Sequence, residues 1–171
     1  MASIRDTLTG MYNRKGFARF SENMFQRAVN EKKQFLVIVG DLDMLKTIND
    51  NYGHIEGDNA ITIAANAMNT CCKSGEMCAR MGGDEYAVFG VGDYTDEIVT
   101  EYTGHIRNFC DRYNASSGKE YNVGVSLGFY CAVPEENDTI DSFYNLADEK
   151  MYEDKKRYYE ALDLYQNNHK Q

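Results

Sequence analysis

Two glycines followed by two acidic residues, Gly82-Gly83-Asp84-Glu85, stand between two short runs that are typical of β-strands, residues 77–81 and 86–89. Paired glycines in this position predict a hairpin turn, because glycine reaches positive φ without steric cost. Such a turn would let a ligand approach the main chain while a carboxylate holds a divalent cation. Since acids and glycines are also the commonest turn residues, a turn that is merely acidic is the alternative interpretation.

A second pair of carboxylates follows an apolar run. Residues 35–39 are rich in β-branched side chains and predict a central strand that is covered on both faces. The run ends at Gly40-Asp41-Leu42-Asp43. A carboxylate at the end of a buried strand is held rigidly, which suits a metal ligand. The alternative is that an aspartate here caps the helix that follows.

Hydrophobic periodicity predicts the remaining elements. Helices are expected at about residues 14–30, 58–72, 94–113 and 139–163, and a long alternating strand at residues 121–133. Asn13 is the expected N-cap of the first helix. The small residues Gly124, Ser126 and Gly128 predict close packing against one face of the long strand. Residues 46–58, a polar stretch with glycines, are expected to connect the first strand to the second helix.

The order of these elements predicts the fold class. The inner part reads βαββαβ, which predicts an α+β fold with a ferredoxin-like antiparallel sheet and helices on one face, as in palm-type polymerases and nucleotidyl cyclases. The first and last helices flank this core. The first strand and the hairpin strands are then neighbours, so the carboxylates of Asp41 and Asp84 would converge. Two convergent carboxylates should bind Mg²⁺ or Mn²⁺, which prefer hard oxygen ligands.

Length and composition limit the classes of function. A chain of 171 residues is expected to fold as one domain. The net charge of −9 argues against a nucleic-acid surface. No apolar run approaches the roughly 20 residues of a membrane span, so no membrane contact by this domain is expected. The five cysteines show no CxxC or other paired metal spacing and are expected to be reduced thiols.

Taken together, these residues resemble one family. The chain is similar to the GGDEF domain, the catalytic module of diguanylate cyclases, which condenses two GTP molecules into cyclic di-GMP. The signature is Gly82-Gly83-Asp84-Glu85-Tyr86, with tyrosine where phenylalanine is usual. The second matching stretch is Asp41-x-Asp43-x-x-Lys46-x-x-Asn49-Asp50-x-x-Gly53-His54-x-x-Gly57-Asp58. The match begins at Asp6-Thr7-Leu8-Thr9-Gly10 and ends near Lys155, so residues 1–171 are expected to be a single GGDEF domain.

The resemblance implies a role for each matching residue. Asp41, the main-chain carbonyl of Leu42 and Asp84 would bind Mg²⁺ or Mn²⁺. Asp84 would also activate the 3′-hydroxyl group of GTP, and Glu85 would complete the acidic turn. Among the implied substrate contacts, Lys46 and Lys155 would bind phosphate. Asn49 and Asp58 would bind guanine, with His54 nearby. The substrate would also come close to the main chain at Gly82 and Gly83. Asparagine and aspartate match the hydrogen-bonding groups of the guanine edge.

The resemblance also implies partners and a location. Each GGDEF module holds one GTP, so two copies must face each other as a homodimer for the reaction. These domains are cytoplasmic, and they usually end a longer sensor protein that is in some cases anchored in a membrane. The chain is therefore expected to be a cytoplasmic domain, whether free-standing or excised from such a sensor.

Several positions depart from the family pattern. Tyr158 and Tyr159 stand where the family often has glycine and arginine, and Leu45 replaces an aromatic residue. Because the missing arginine is a phosphate contact, the alternative function is a non-catalytic GGDEF domain that binds GTP or a protein partner as a regulatory module. A polymerase palm is a weaker alternative, since the chain has no basic surface for a template.

One further departure concerns product feedback. Many family members carry an inhibitory Arg-x-x-Asp site that ends five residues before the two glycines, and Lys73 and Glu76 occupy those positions here. Lysine cannot make the planar, bidentate contact of arginine, and glutamate is one methylene longer than aspartate. Weak binding of cyclic di-GMP at this surface is therefore expected.

Overall fold

The computed structural model describes residues 3–168, in which one four-stranded sheet is flanked by helices. The elements in chain order are α1 (Arg14–Glu31), β1 (Gln34–Leu42), α2 (Leu45–Tyr52), α3 (His54–Thr70), β2 (Met77–Gly82), β3 (Glu85–Gly92), α4 (Asp96–Ser116), β4 (Val125–Ala132) and α5 (Ile140–Asn168). The strand order is β2-β3-β1-β4, and each neighbouring pair is antiparallel. The predicted ferredoxin-like βαββαβ arrangement is therefore confirmed.

Alternation along β1 divides the core into two layers. Leu36 and Ile38 pack with α3 and α4 on one face, and Phe35, Val37 and Val39 pack with α1 and α5 on the other. All five side chains are at most 1% exposed. Full burial of an aliphatic or aromatic side chain contributes roughly 1.5–3 kcal/mol, so β1 is a main source of stability. The prediction of a central strand covered on both faces is confirmed.

Helix α1 begins where predicted because Asn13 caps it. The side-chain oxygen of Asn13 accepts hydrogen bonds from the N–H groups of Lys15 and Gly16, both at 3.0 Å. These bonds satisfy two of the N–H groups that the first turn of a helix leaves free. The helix ends at Lys32, whose φ of 52° is left-handed.

The connection between β1 and α3 differs from the prediction. The polar stretch at residues 46–58 contains most of α2 and the beginning of α3. Gly53 joins the two helices with φ 88° and ψ 166°, a conformation that is open to glycine and strained for other residues. Helix α2 is short and Ile48 is its one buried residue, so hydrophobic periodicity gives little signal for it.

Strand β4 is shorter than the predicted strand at residues 121–133. Tyr121 and Val123 are buried, as the alternation indicates, but they precede the strand. The side chain of Asn114 accepts a hydrogen bond from the Val123 N–H at 2.8 Å and donates one to the Val123 carbonyl at 2.9 Å. Asn114 thus replaces a neighbouring strand at this point, and the ladder begins only at Val125.

Helix α5 packs directly on β4. A Cβ atom on Gly128 would overlap the main chain of α5 at Ala147 and Met151. The close packing predicted from the small residues of this strand is therefore found at Gly128, and it fixes the position of α5 relative to the sheet. None of the helices within residues 3–168 has both the length and the apolar character that a membrane crossing requires.

Candidate active site

The end of β1 meets the turn between β2 and β3, so the two acidic motifs lie side by side. Asp41 is directly opposite Glu85 in the β1–β3 ladder, which places their Cβ atoms about 5 Å apart. The Leu42 N–H donates to the main-chain carbonyl of Asp84 at 2.9 Å. The two motifs converge as the topology predicts, with Glu85 rather than Asp84 as the direct ladder partner of Asp41.

Lys155 on α5 neutralises part of this negative charge. Its ammonium group hydrogen-bonds the carboxylate of Asp41. Burial, together with the charges of Asp84 and Glu85, raises the pKa of Asp41 above its ordinary value, although Lys155 opposes the shift. Burial acts to lower the pKa of Lys155, but the bond to Asp41 outweighs it and the pKa is raised. The ammonium group therefore supplies a positive charge beside carboxylates that repel each other.

The glycine turn is open, but the predicted reason for its glycines is wrong. Neither Gly82 nor Gly83 has a positive φ. A bulge between Arg80 and Gly82 shifts the register, and Gly82 pairs with Glu85. A Cβ atom on Gly83 would meet no atom of residues 3–168 within 4 Å, and one on Gly82 would meet the Glu85 carboxylate at 3.7 Å. The glycines leave space beside the acidic pair, which a ligand could fill.

Arg80 supports this turn and was missed by the sequence reasoning. Its guanidinium donates to the Gly83 carbonyl from Nε at 3.1 Å and from Nη2 at 2.7 Å. It also donates from Nη1 to both carboxylate oxygens of Asp6 at 3.1 Å. Although burial opposes the shift, hydrogen bonds from Thr9 and Arg80 lower the pKa of Asp6. An arginine two residues before the glycines, with an aspartate in the turn-rich N-terminal segment, was the signal available.

Basic side chains lie beside the same turn. A cavity of about 450 Å³ is lined by Gly82 and Gly83 together with Arg14 and Lys15 from the first turn of α1. Positive side chains raise the local concentration of anions. In a chain with a net charge of −9, such local basic groups are needed next to any site for a polyphosphate.

Asp43 is enclosed between β1 and β4. It is 4% exposed, accepts a hydrogen bond from the Ser126 hydroxyl at 2.6 Å, and donates its own N–H to the Gly124 carbonyl at 2.9 Å. Burial raises the pKa of Asp43 to about 6. The N-cap of α2 is Met44, with φ 63° and no side-chain cap bond. The alternative that an aspartate of this motif caps the following helix is therefore wrong.

The residues expected to contact guanine come from two helices. Asn49 lies in the second turn of α2, and Asp58 lies early in α3. Gly57 allows them to meet, because a Cβ atom there would overlap the side-chain oxygen of Asn49. Asn49 is half-buried, whereas Asp58 and His54 are exposed. This edge of the site is therefore accessible from solvent.

The two lysines expected to contact phosphate have different surroundings. The Lys46 side chain is 90% exposed and pairs with Asp50, one helical turn away, at 2.7 Å. Lys155 is partly buried within the carboxylate cluster. The structure therefore brings Lys155 to the acidic motifs, and it holds Lys46 on the outer surface of α2.

The departures from the family pattern leave the acidic turn intact. Tyr86 is fully buried, and its hydroxyl donates to the Ile61 carbonyl at 2.9 Å. The hydroxyl that tyrosine adds relative to phenylalanine thus has a partner. Tyr158 and Tyr159 pack edge to face with ring centroids 5.4 Å apart. Arg157, the nearest arginine in sequence, pairs with Asp154 at 3.6 Å.

The donor set suits a hard divalent cation. Asp41, Asp84 and Glu85 offer carboxylate oxygens at the point where the chain of Leu42 passes. Among residues 3–168, no three acidic, histidine or cysteine side chains already surround a common point as a metal cage. Mg²⁺ usually takes one or two carboxylates and completes its coordination with water and substrate phosphates. The residues present fit a cation that binds together with a nucleotide.

Comparison with known proteins extends over most of the chain. The family described as diguanylate cyclase, GGDEF domain, matches residues 3–160. The probable diguanylate cyclase DgcJ of Escherichia coli is 34% identical over 153 residues, which cover 90% of this chain and 29% of the relative. The diguanylate cyclase DgcP of the same species is 31% identical over 154 residues, which cover 90% of this chain and 45% of the relative. The chain therefore spans less than half the length of either relative.

A solved structure shows the same fold. The GGDEF domain of DgcB from Caulobacter crescentus, determined in complex with c-di-GMP, has a TM-score of 0.81 to this chain, with 24% identity over 91% of this chain and 92% of that one. The family match includes β1, the acidic turn and Lys155. This chain therefore belongs to the GGDEF domain family of diguanylate cyclases.

Proposed function

We propose that the chain is an active diguanylate cyclase domain, which condenses two GTP molecules into cyclic di-GMP and two pyrophosphates with Mg²⁺ or Mn²⁺ as cofactor. The observation that carries this proposal is the convergence of Asp41, Asp84 and Glu85 beside an open glycine turn. The family match over residues 3–160 supports the same reaction.

The acidic turn would carry the proton transfer. In the reaction, the 3′-hydroxyl of one GTP attacks the α-phosphorus of the other, and pyrophosphate leaves. Asp84 would accept the proton of that hydroxyl. The negative charge of Glu85 beside it would help to hold the divalent cation. When bound by Asp41, Asp84 and the Leu42 carbonyl, Mg²⁺ or Mn²⁺ would neutralise triphosphate charge and lower the pKa of the hydroxyl.

Lys155 would change partner when the nucleotide binds. Its ammonium group hydrogen-bonds the carboxylate of Asp41 in the folded chain. With Asp41 engaged as a metal ligand, the Lys155 ammonium group would be available to bind the terminal phosphates. Because the main chain of α5 is locked against Gly128, the helix delivers this side chain from a fixed position.

Asn49 and Asp58 would select guanine. An amide and a carboxylate can pair with the N1–H and amino donors of guanine. Adenine lacks this pattern, and a base that leaves buried polar groups without partners is strongly disfavoured. His54 stands one turn before Asp58 and would line the same edge, and Lys46 would reach a phosphate from the surface of α2.

A second copy of the chain would complete the site. Each module would hold one GTP, and the product contains two guanylyl units, so two modules must face each other. Neither a nucleic acid nor a membrane takes part in this reaction. GTP and a second GGDEF module are therefore the proposed partners.

The direct test is incubation of concentrated protein with GTP and Mg²⁺, followed by chromatography and mass spectrometry of the products. We expect cyclic di-GMP and pyrophosphate, no product when the divalent cation is chelated, and little product from ATP. Turnover of ATP at a rate comparable to GTP would contradict the guanine assignment. Absence of cyclic di-GMP at every protein concentration would contradict the proposed cyclase activity.

The second candidate is a non-catalytic module that binds GTP or a protein partner. It is favoured by Tyr159, which stands where the family often has an arginine. Arg157, the nearest arginine in sequence, pairs with Asp154 instead of replacing that phosphate contact. The same assay separates the two functions when it is combined with calorimetry. Tight GTP binding without any product would support the regulatory module.

A further inference from the structure

Three of the five cysteines gather where α3 ends and β2 begins. Cys71 and Cys72 directly follow α3, and Cys78 is the second residue of β2. Cys71 and Cys78 are 4% and 6% exposed, while Cys72 is half-buried. The thiol of Cys72 lies within hydrogen-bonding reach of the thiols of Cys71 and Cys78. All three are free thiols.

A cavity gives small molecules access to this cluster. Cys72 and Cys78 both line a cavity of about 270 Å³, together with the polar side chains of Asn66, Asn69 and Glu76. Polar walls favour water in such a space. A small, polar oxidant can therefore approach both cysteines through the same cavity.

Cys72 is the nucleophile of the cluster. Hydrogen bonds from the thiols of Cys71 and Cys78 lower the pKa of Cys72 well below its usual range. The contact with Cys72, together with burial, raises the pKa of Cys71, and burial, together with the contact with Cys72, raises the pKa of Cys78. Cys72 is also the least buried of the three cysteines. Because the thiolate rather than the thiol attacks an oxidant, we expect Cys72 to react first.

The geometry selects Cys78 as the second sulfur. Cys71 is the sequence neighbour of Cys72, and a disulfide between neighbours would distort the peptide that joins them. The Cys71 thiol also donates to the Met68 carbonyl at 3.1 Å, which holds it toward α3. We propose that Cys72 and Cys78 are a thiol pair that forms a reversible disulfide when the protein meets a hydroperoxide.

The chemistry balances with hydrogen peroxide as the oxidant. The Cys72 thiolate attacks one oxygen, the O–O bond breaks, and Cys72 sulfenic acid forms with hydroxide, which takes a proton to become water. The Cys78 sulfur then attacks the Cys72 sulfur, the S–OH bond breaks, and the hydroxyl leaves as water with the proton of the Cys78 thiol. Two thiols lose two electrons in total, and one peroxide is reduced to two waters.

The bond would restrain one connection of the fold. It would close the loop that contains Lys73 and Glu76 and tie the end of α3 to the start of β2. Strand β2 leads to the glycine turn, and α3 carries Asp58, so the oxidation state would set how freely these elements move relative to each other. The proposal rests on the thiols alone and does not depend on cyclase activity.

The test uses the whole chain and hydrogen peroxide. After treatment, remaining thiols are blocked with N-ethylmaleimide under denaturing conditions, and intact and tryptic masses are recorded. Cleavage after Lys46, Lys73 and Arg80 separates the two partners into peptides 47–73 and 74–80. We expect a loss of 2 Da, a crosslink between these peptides that fragmentation places at Cys72, and full reversal by dithiothreitol.

Two variants and one internal standard sharpen the test. Cys78→Ser should stop the reaction at Cys72 sulfenic acid, which dimedone traps, whereas Cys110→Ser, a buried thiol on α4, should leave the crosslink unchanged. Cys131 is also half-buried, and burial raises its pKa to about 12, so Cys72 should be alkylated at least about tenfold faster at neutral pH. A crosslink at Cys71, an oxygen adduct at Cys72 in the unaltered chain without a crosslink, or equal alkylation rates would each overturn the proposal.

Discussion

At the scale of single residues, the site is organised by charge. Asp41, Asp84 and Glu85 repel one another, and Lys155 reduces that repulsion through its ion pair with Asp41. Substitutions of Asp84 or Glu85 should therefore change activity far more than stability, because the turn is half-exposed and contributes little to the core.

The substitution Asp84→Asn should lower kcat by about 100-fold or more, the usual contribution of a general base. The fold should survive, because the main-chain carbonyl of Asp84, which accepts from Leu42, is unchanged. Steady-state kinetics and thermal melting measure both effects. Asp93→Asn is the matched control, since it removes the same charge from an exposed pair with Lys33 and such pairs contribute little. Near-normal turnover by Asp84→Asn would rule out its assigned role.

The substitution Gly57→Ala should lower kcat/KM for GTP by about 10- to 100-fold, equivalent to about 1–3 kcal/mol of lost hydrogen bonding. The new methyl group would overlap the Asn49 side chain and push it away from the guanine edge.

Gly104→Ala is the control for this change. Gly104 also lies in a helix, and a Cβ atom there would meet no atom of residues 3–168 within 4 Å. It should leave kinetics unchanged and stabilise the fold by about 0.5–1 kcal/mol through helix propensity. If both variants behave alike in the GTP assay, the role of Gly57 in placing Asn49 is wrong.

At the scale of elements, Glu76 and Lys73 hold the loop between α3 and β2 against α4 and the residues that precede it. The Glu76 carboxylate accepts hydrogen bonds from Tyr94 at 2.9 Å, from Tyr102 at 2.8 Å and from the Lys73 N–H at 2.8 Å. The Lys73 ammonium group lies 4.8 Å from the centre of the Tyr102 ring. Both residues at the positions of the family's inhibitory site are therefore engaged within the protein.

We expect cyclic di-GMP to bind this loop weakly. Losing a bidentate arginine contact costs about 1–3 kcal/mol, roughly tenfold or more in affinity, and Glu76 would also have to release its present partners. Calorimetric titration of cyclic di-GMP into the unmodified protein and into Lys73→Ala measures this. Tight binding that Lys73→Ala abolishes would show that the loop is an inhibitory site after all.

Helix α5 lies directly on the sheet at Gly128, where its main chain meets β4. Gly128→Ala would place a methyl group into the main chain of α5, and overpacking of this kind costs about 1–3 kcal/mol or more. We expect a lower urea midpoint than in Gly104→Ala, together with lower activity, because α5 carries Lys155. Unchanged stability would mean that α5 shifts easily on β4.

At the scale of the whole molecule, the proposed reaction needs two copies of the chain. Specific activity should rise with protein concentration and then saturate as pairs form. Adding an excess of Asp84→Asn protein should lower the activity of the unmodified chain, because mixed pairs lack one functional turn. A flat profile from protein that light scattering shows to be monomeric would contradict the paired mechanism.

The sequence by itself determined most of the architecture. The continuous apolar run at residues 35–39 predicted a strand buried on both faces, and Asn13 predicted the start of α1, because both depend on local composition and local hydrogen bonds. The positions of Asp41 and the acidic turn followed from the order of elements. Helix α2 was missed since it buries a single residue, Ile48.

Only the tertiary structure decided which side chains meet. The bulge between Arg80 and Gly82 sets the register of β2 and β3 around the turn, and β1 pairs Asp41 with Glu85. Lys155 reaches Asp41 across 114 positions of the chain. Such contacts depend on how helices and strands pack, and no short-range pattern of residues specifies them. For the same reason the space that Gly57 leaves for Asn49, and the cysteine cluster between α3 and β2, became visible only in the folded chain.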